Sequence, residues 1–171
     1  MTTPPRDALA AVAALLAPNS AAVSARALAA RDDPDAYLRD HADRLDDRGI
    51  DEPFEGLPWI ALVDALDDHG LLAEVDWKEA ADEIVGRLRK LSSAPRADEL
   101  WDELAASDLP TFEFLEAAGE RLLTLGTALG VLDIESDCYP LVLLPADRAD
   151  DLMERATEAG FAAGVYGSQA G

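Results

Sequence analysis

The sequence predicts an α+β protein: a mostly helical N-terminal two-thirds, followed by a small, mainly antiparallel sheet built as β-hairpin, helix and strand, with the helix covering the sheet. Three observations carry this. Apolar residues recur at helical spacing, separated by breakers, as far as Gly126. Two β-rich runs, residues 127–134 and 138–144, then flank Glu135-Ser136-Asp137, which has hairpin chemistry. An amphipathic stretch over 147–159, closed by Gly160, precedes a last apolar run at 161–166.

Taken in order, Leu9, Val12, Leu15 and Leu16 stand at helical spacing behind Pro4-Pro5. Arg6 is followed directly by Asp7, so the start is neutral and favours a first helix over a signal peptide. Pro18-Asn19-Ser20 precedes an alanine-rich helix carrying Val23 and Leu28. Asp33-Pro34 opens a third, with Asp33 as N-cap, a face of Tyr37, Leu38, His41 and Leu45, and Gly49 at its end. Residues 51–58 form the best internal linker. They divide the chain into a helical N-terminal extension, residues 1–50, and a main α+β domain, residues 51–171, unless the two fold as one continuous domain.

From Pro58 a helix bearing Trp59, Leu62, Val63 and Leu66 runs to His69-Gly70, and residues 71–75 fit a short edge strand. Asp76-Trp77-Lys78-Glu79 matches a capping box, with Asp76 as N-cap of a helix bearing Ile84, Leu88 and Leu91. Two more helices carry Leu100, Trp101 and Leu104, then Phe112, Leu115, Leu122 and Leu123. That makes about seven helices ahead of the sheet. Pro140 places the second β-rich run at a sheet edge or near its own start.

Composition narrows the function classes. In 171 residues, 14 Lys and Arg face 35 Asp and Glu, a net charge of −21. Binding to nucleic-acid phosphates needs clustered cations, and so does electrostatic attachment to an anionic membrane, so neither partner is expected. A lone cysteine, Cys138, forms no internal disulfide, and no apolar run is long enough to span a bilayer; a cytoplasmic protein is the expectation. Alanine-rich, lysine-poor acidity also follows from a GC-rich genome or a high-salt habitat, so charge alone assigns no mechanism.

The stretch Leu132-Asp-Ile-Glu-Ser-Asp-Cys-Tyr-Pro-Leu-Val-Leu-Leu-Pro145, the helix and Gly160-Phe161 after it, and the segments 59–66 and 73–79 together resemble a bacterial family of unknown function. Its members look like a helical half followed by an LD-x-x-SDCYPLVL-x-P hairpin. The resemblance covers residues 54–166 and leaves the first fifty as a variable extension. It carries no reaction, though small domains of this kind also look similar to immunity proteins of bacterial toxin systems.

Catalytic constellations are absent by motif. There is no P-loop, GxGxxG, GxSxG, kinase signature or HExxH, and two histidines without clustered cysteines make a poor zinc site. Cys138 has acidic neighbours, which disfavour the thiolate a nucleophile needs, and is read as a packed strand residue. Asp133, Glu135 and Asp137 alternate, so a continuous strand would project all three carboxylates to one side. The calcium-loop pattern nevertheless fails at Cys138 and Leu144. No catalytic residue, metal or cofactor is therefore expected.

His41 and His69 are read as structural, the latter at a helix C-terminus. Trp59 and Trp101 belong to apolar stripes, whereas Trp77 sits between Asp76 and Lys78 as the preferred interface residue. The expectation is a non-enzymatic, acidic binding protein, immunity-like in character, that recognises a basic protein partner through Trp77, Asp133, Glu135, Asp137 and Tyr139. The alternative is a small enzyme or ligand-binding domain with its pocket between the hairpin and the helix starting near Asp76.

Overall fold

The computed structural model describes residues 4–167. Among them the chain runs α1 (Arg6–Leu16), α2 (Ala21–Asp32), α3 (Pro34–Asp40), α4 (Ala42–Asp47), α5 (Leu57–Asp68), β1 (Leu72–Asp76), α6 (Ala81–Leu88), α7 (Asp98–Ala105) and α8 (Thr111–Leu123). It continues through β2 (Thr127–Asp133), β3 (Cys138–Pro145), a 3-10 turn (Ala146–Arg148), α9 (Ala149–Glu158) and β4 (Ala162–Val165). The sheet order is β1-β3-β2-β4, antiparallel throughout. The α+β class and the helical-then-strand order are those the sequence predicts.

Strand periodicity decides the layering. Along β2, Ala128 and Leu132 face one side while Leu129 faces the other; along β3, Val142 and Leu144 oppose Leu141 and Leu143. Helices α1, α2, α5 and α9 close the first face, and α6, α7 and α8 close the second. Both faces are thus buried, so the central strands read as near-continuous apolar runs instead of alternating ones. Ala8, Leu9, Val12, Val23 and Ala27 belong to the same core as Trp59, Leu132 and Leu152, so the segment before residue 51 helps to cover the sheet.

Several local expectations change. The third helix divides at His41 into α3 and α4; Asp33 caps α3 by accepting from the Ala36 N–H at 3.1 Å, and Gly49, at φ +77°, ends α4. Asp76 does not cap a helix. It closes β1, Asp76 Oδ1 accepts weakly from the Lys78 N–H at 3.4 Å, and α6 starts only at Ala81, because pairing with Cys138 extends the strand over the capping-box position. β3 is a central strand, and Pro140 lies near its start, as one of the two sequence readings had it. Its partner in β1 is Glu74, and the register with β2 ends at Leu141, so the missing N–H falls beyond that ladder. The edge strand β1 is blunted by Arg87, which donates to the Glu74 carbonyl at 2.6 Å.

Helix α5 is buried from Leu57 to Leu66, including Asp64, whose exposure is 0%. A carboxylate there requires cations, and Arg48 supplies one. Its Nη2 and Nε donate to Asp64 Oδ1 at 2.6 and 3.1 Å, while the same guanidinium holds both Glu74 oxygens at 2.6 and 3.1 Å. Arg44 Nε adds a second cation 3.2 Å from Asp64 Oδ1. Burial disfavours the charged form of Arg48, yet the bonds and charges of Glu74 and Asp64 outweigh it and raise its pKa. The bridge ties the end of α4 to α5 and β1. Asp64→Ala leaves Arg48 half-paired in a largely buried setting, and we expect a loss of about 3 kcal/mol in urea unfolding.

The C-terminal end of the sheet closes against α8 at glycines. A Cβ on Gly119 would lie 2.3 Å from the Tyr166 carbonyl oxygen, and one on Gly167, at φ +72°, would lie 2.2 Å from the Glu120 nitrogen. Both obstacles are backbone and cannot rotate aside. Gly119→Ala should therefore push the β4 end off α8 and lower stability by about 1–3 kcal/mol. An unchanged urea midpoint would show that this junction is loose.

Candidate functional site

The hairpin between β2 and β3 is shaped by its own polar residues. Asp133 Oδ1 accepts from the Glu135 N–H at 2.8 Å, Ser136 Oγ accepts from the Cys138 N–H at 3.0 Å, and Glu135 adopts φ +57°. The strand therefore stops at Asp133, and the three alternating carboxylates stand on a turn and not along one strand face. Among the described residues no group of three His, Cys, Asp or Glu side chains is arranged to hold a metal.

The hairpin base is rooted in the core. Trp59, on α5, donates its indole N–H to the Asp133 carbonyl at 3.0 Å and stacks on Phe161, with centroids 4.7 Å apart and planes 12° off parallel. Beside this stack opens a chamber of about 620 Å³, bordered by Phe54, Trp59, Ile60, Phe161, Glu55, Asp133 and Glu135 among others. A smaller hollow of about 240 Å³ continues past Phe54 to Asp51 and Glu52. Another, of about 110 Å³, continues past Phe161 to Glu158. These three hollows form a furrow whose lining residues include six carboxylates and no Lys, Arg or His.

Ion pairing sharpens that contrast. Most arginines are engaged elsewhere: Arg6 with Asp32, Arg26 with Asp68, Arg44 with Asp67 and Asp68, Arg89 with Asp98 and Asp102, Arg121 with Glu103. Asp51, Glu52, Asp133 and Glu135 take part in no ion pair among the described residues. Glu158 pairs with Arg155 on its own helix at 3.0 Å. At Asp51, Glu52, Asp133 and Glu135 the furrow thus carries negative charge that no ion pair among the described residues offsets, beside apolar rings.

The residues named from sequence divide between two places. Asp133 and Glu135 border the chamber. Trp77, Asp137 and Tyr139 lie on the β1 side of the hairpin, where the Trp77 N–H donates to the Asp137 carbonyl at 3.1 Å and Tyr139 pairs with Val75. Trp77 is 51% exposed, with the Lys78 ammonium 4.6 Å from its ring centre. The chamber lies against α5 and not between the hairpin and the segment after Asp76, because Trp59 and Phe161 bring the other side of the hairpin to the core.

Phe54, Phe161, Asp51, Glu52 and Glu158 were not singled out from sequence. The one signal for them in the sequence is an aromatic, Phe54, set among acids within the linker. Trp59 and Trp101 are core residues, as their stripes require, and the Trp101 indole N–H donates to the Pro95 carbonyl at 3.1 Å. His41 stacks on Tyr37 at 4.2 Å; burial, and then the Arg26 charge, hold its imidazole below the usual histidine range. His69 sits at the end of α5 with Nδ1 2.8 Å from the Ala65 carbonyl.

Burial pushes the Cys138 thiol up, and the Glu74 and Asp76 charges push it further. The thiolate fraction at pH 8 is therefore smaller than in a free thiol. Cys138 should react with iodoacetamide at pH 8 more slowly than free cysteine does, and Glu74→Gln should speed it. Alkylation as fast as that of free cysteine would contradict this environment.

Fold and furrow together define an α+β domain with helices on both faces of a four-stranded antiparallel sheet and an acidic, aromatic-walled groove at the hairpin. The chain belongs to the family described as Domain of unknown function (DUF6630), whose model matches residues 8–166. The match takes in the N-terminal helices that the sequence resemblance had left outside, in keeping with their place in the core. No curated protein and no solved structure matches the chain. No helix among the described residues is long and apolar enough to cross a membrane.

Proposed function

We propose that this protein is a cytoplasmic, non-enzymatic binding protein that recognises a basic protein partner through the furrow at the β2–β3 hairpin. The observation that carries the reading is the set of carboxylates that have no ion-pair partner among the described residues, Asp51, Glu52, Asp133 and Glu135, set beside Phe54 and Phe161 in a protein that pairs most of its arginines elsewhere. Uncompensated charge of one sign steers an opposite partner and accelerates encounter, while the apolar rings supply contact area once it has docked. Trp77, with Asp137 and Tyr139 on the far side of the same hairpin, extends the recognition surface.

The test uses the immobilised full chain, lysate of its source organism and a salt step. Asp51→Asn, Glu52→Gln, Asp133→Asn and Glu135→Gln combined remove four charges. The amide introduced by Asp133→Asn still offers an oxygen to accept from the backbone N–H two residues on, so the turn is retained. The wild type should retain a basic protein that salt releases, and the variant should retain at least about tenfold less, with a flatter salt dependence. Equal retention by both proteins at low salt would overturn the reading.

A further inference from the structure

We infer, resting on that binding reading, that the chamber takes the side chain of an arginine carried by a peptide segment of the partner, with the guanidinium laid on Phe161 and its edge turned to Asp133 and Glu135. The stack of Trp59 on Phe161 occupies one face of the Phe161 ring, and the half-buried ring borders both the chamber and the neighbouring hollow. Its other surface is therefore what an occupant meets.

A planar, weakly hydrated cation suits that surface, because guanidinium stacks on an aromatic face while its in-plane N–H groups stay free to bond carboxylates. An ammonium is a compact, strongly hydrated point charge and gains less from a flat ring. Asp133 and Glu135 are held for this task by the hairpin's own geometry: Asp133 Oδ1 already accepts from the Glu135 N–H, and its carbonyl is fixed by Trp59. Both residues are exposed, so the second Asp133 oxygen and the Glu135 carboxylate are acceptors at the rim. Phe54, 41% exposed, stands at the junction with the next hollow and offers the arginine stem an apolar wall. At about 620 Å³ the chamber also admits backbone on either side of the side chain, which favours a peptide over a free amine.

The probe is a set of three capped tripeptides, acetyl-Gly-Xaa-Gly-amide, in which Xaa is arginine, lysine or citrulline, the last sharing arginine's shape without its charge. Binding is read from the indole N–H signals of uniformly nitrogen-15-labelled full-length protein, assigned with Trp59→Phe and Trp77→Phe. The arginine peptide should move the Trp59 signal and leave that of Trp101 in place. It should bind at least about tenfold more tightly than the citrulline peptide, as charge-assisted bonds require, and a few-fold more tightly than the lysine peptide. Asp133→Asn with Glu135→Gln should abolish the preference over citrulline. Phe161→Leu should abolish the preference over lysine and keep the preference of both cations over citrulline; if that variant does not fold, the three peptides on wild-type protein still decide.

Equal binding of arginine and citrulline, equal binding of arginine and lysine, a shift confined to Trp77, or no shift at tens of millimolar peptide would each overturn the inference. So would tighter binding of free methylguanidine than of the arginine peptide, which would make the ligand a small cation. A partner that is still released by salt and lost in the four-charge variant, in the face of any of these results, would leave the binding reading standing and remove only the arginine chamber.

Discussion

Helix α5 has no solvent face for most of its length, and the rest of the structure is arranged around that constraint. One side of it packs on α1, α2 and the sheet; another is covered by Tyr37, Leu45 and Ala30 from α2, α3 and α4. A helix enclosed in this way can carry a charge only where a counter-charge is delivered to it. Asp64 obtains Arg48 and Arg44 from the segment that wraps over α5, and Arg48 passes the connection on to Glu74 in β1. A buried bridge of this kind is a modest source of net stability, because desolvation offsets most of the attraction. Its consequence is positional: the α4 end, α5 and the sheet edge hold one relative placement, since any other strands a carboxylate in the core.

The same helix sets the hairpin. Trp59 reaches the Asp133 carbonyl and stacks on Phe161, so the end of β2 and the start of the β4 segment are located by one indole ring. The furrow is the space left where these two segments and residues 51–56 approach α5 without filling the gap between them. Its walls are tied to the core through Trp59 and Phe161, although the residues that line it come from a linker, a turn and a helix–strand junction. On the proposed binding reading, a surface of loops carried on a packed frame has its shape before a partner docks, which lowers the ordering cost of binding.

Charge is distributed to match. On the helical side, Arg26, Arg44 and Arg48 interleave with Asp64, Asp67 and Asp68, so the surface there is locally balanced. At Asp68 burial disfavours the carboxylate, but hydrogen bonds and charges from Arg26 and Arg44 outweigh it and lower its pKa. Among the described residues no ion pair of that kind stands beside Asp51, Glu52, Asp133 and Glu135. A GC-rich genome or a saline habitat explains a high total charge; it does not by itself explain why arginines pair with carboxylates over the helices while none lines a groove with aromatic walls.

Local chemistry was readable in the sequence wherever one residue decides the backbone. Asp33-Pro34 starts α3, Gly49, Gly70, Gly126 and Gly160 take positive φ at element ends, and Glu135-Ser136-Asp137 turns the hairpin. Periodicity placed Trp59 and Trp101 in the core, and the acids of the turn put Asp133 and Glu135 among the candidate residues. Pairing decided the rest. Whether Asp76 caps a helix or ends a strand depends on Cys138, sixty-two positions away, taking it into the sheet. Which side of the hairpin bears a chamber depends on Trp59 meeting Phe161, residues that share no local pattern. The α+β class, the order of elements and the overall acidity were legible in the chain alone, because they follow from short-range stereochemistry and from composition. Which carboxylates meet an arginine, and which face an open groove, was settled in three dimensions, because ion pairing and cavity shape arise between segments that are distant along the chain.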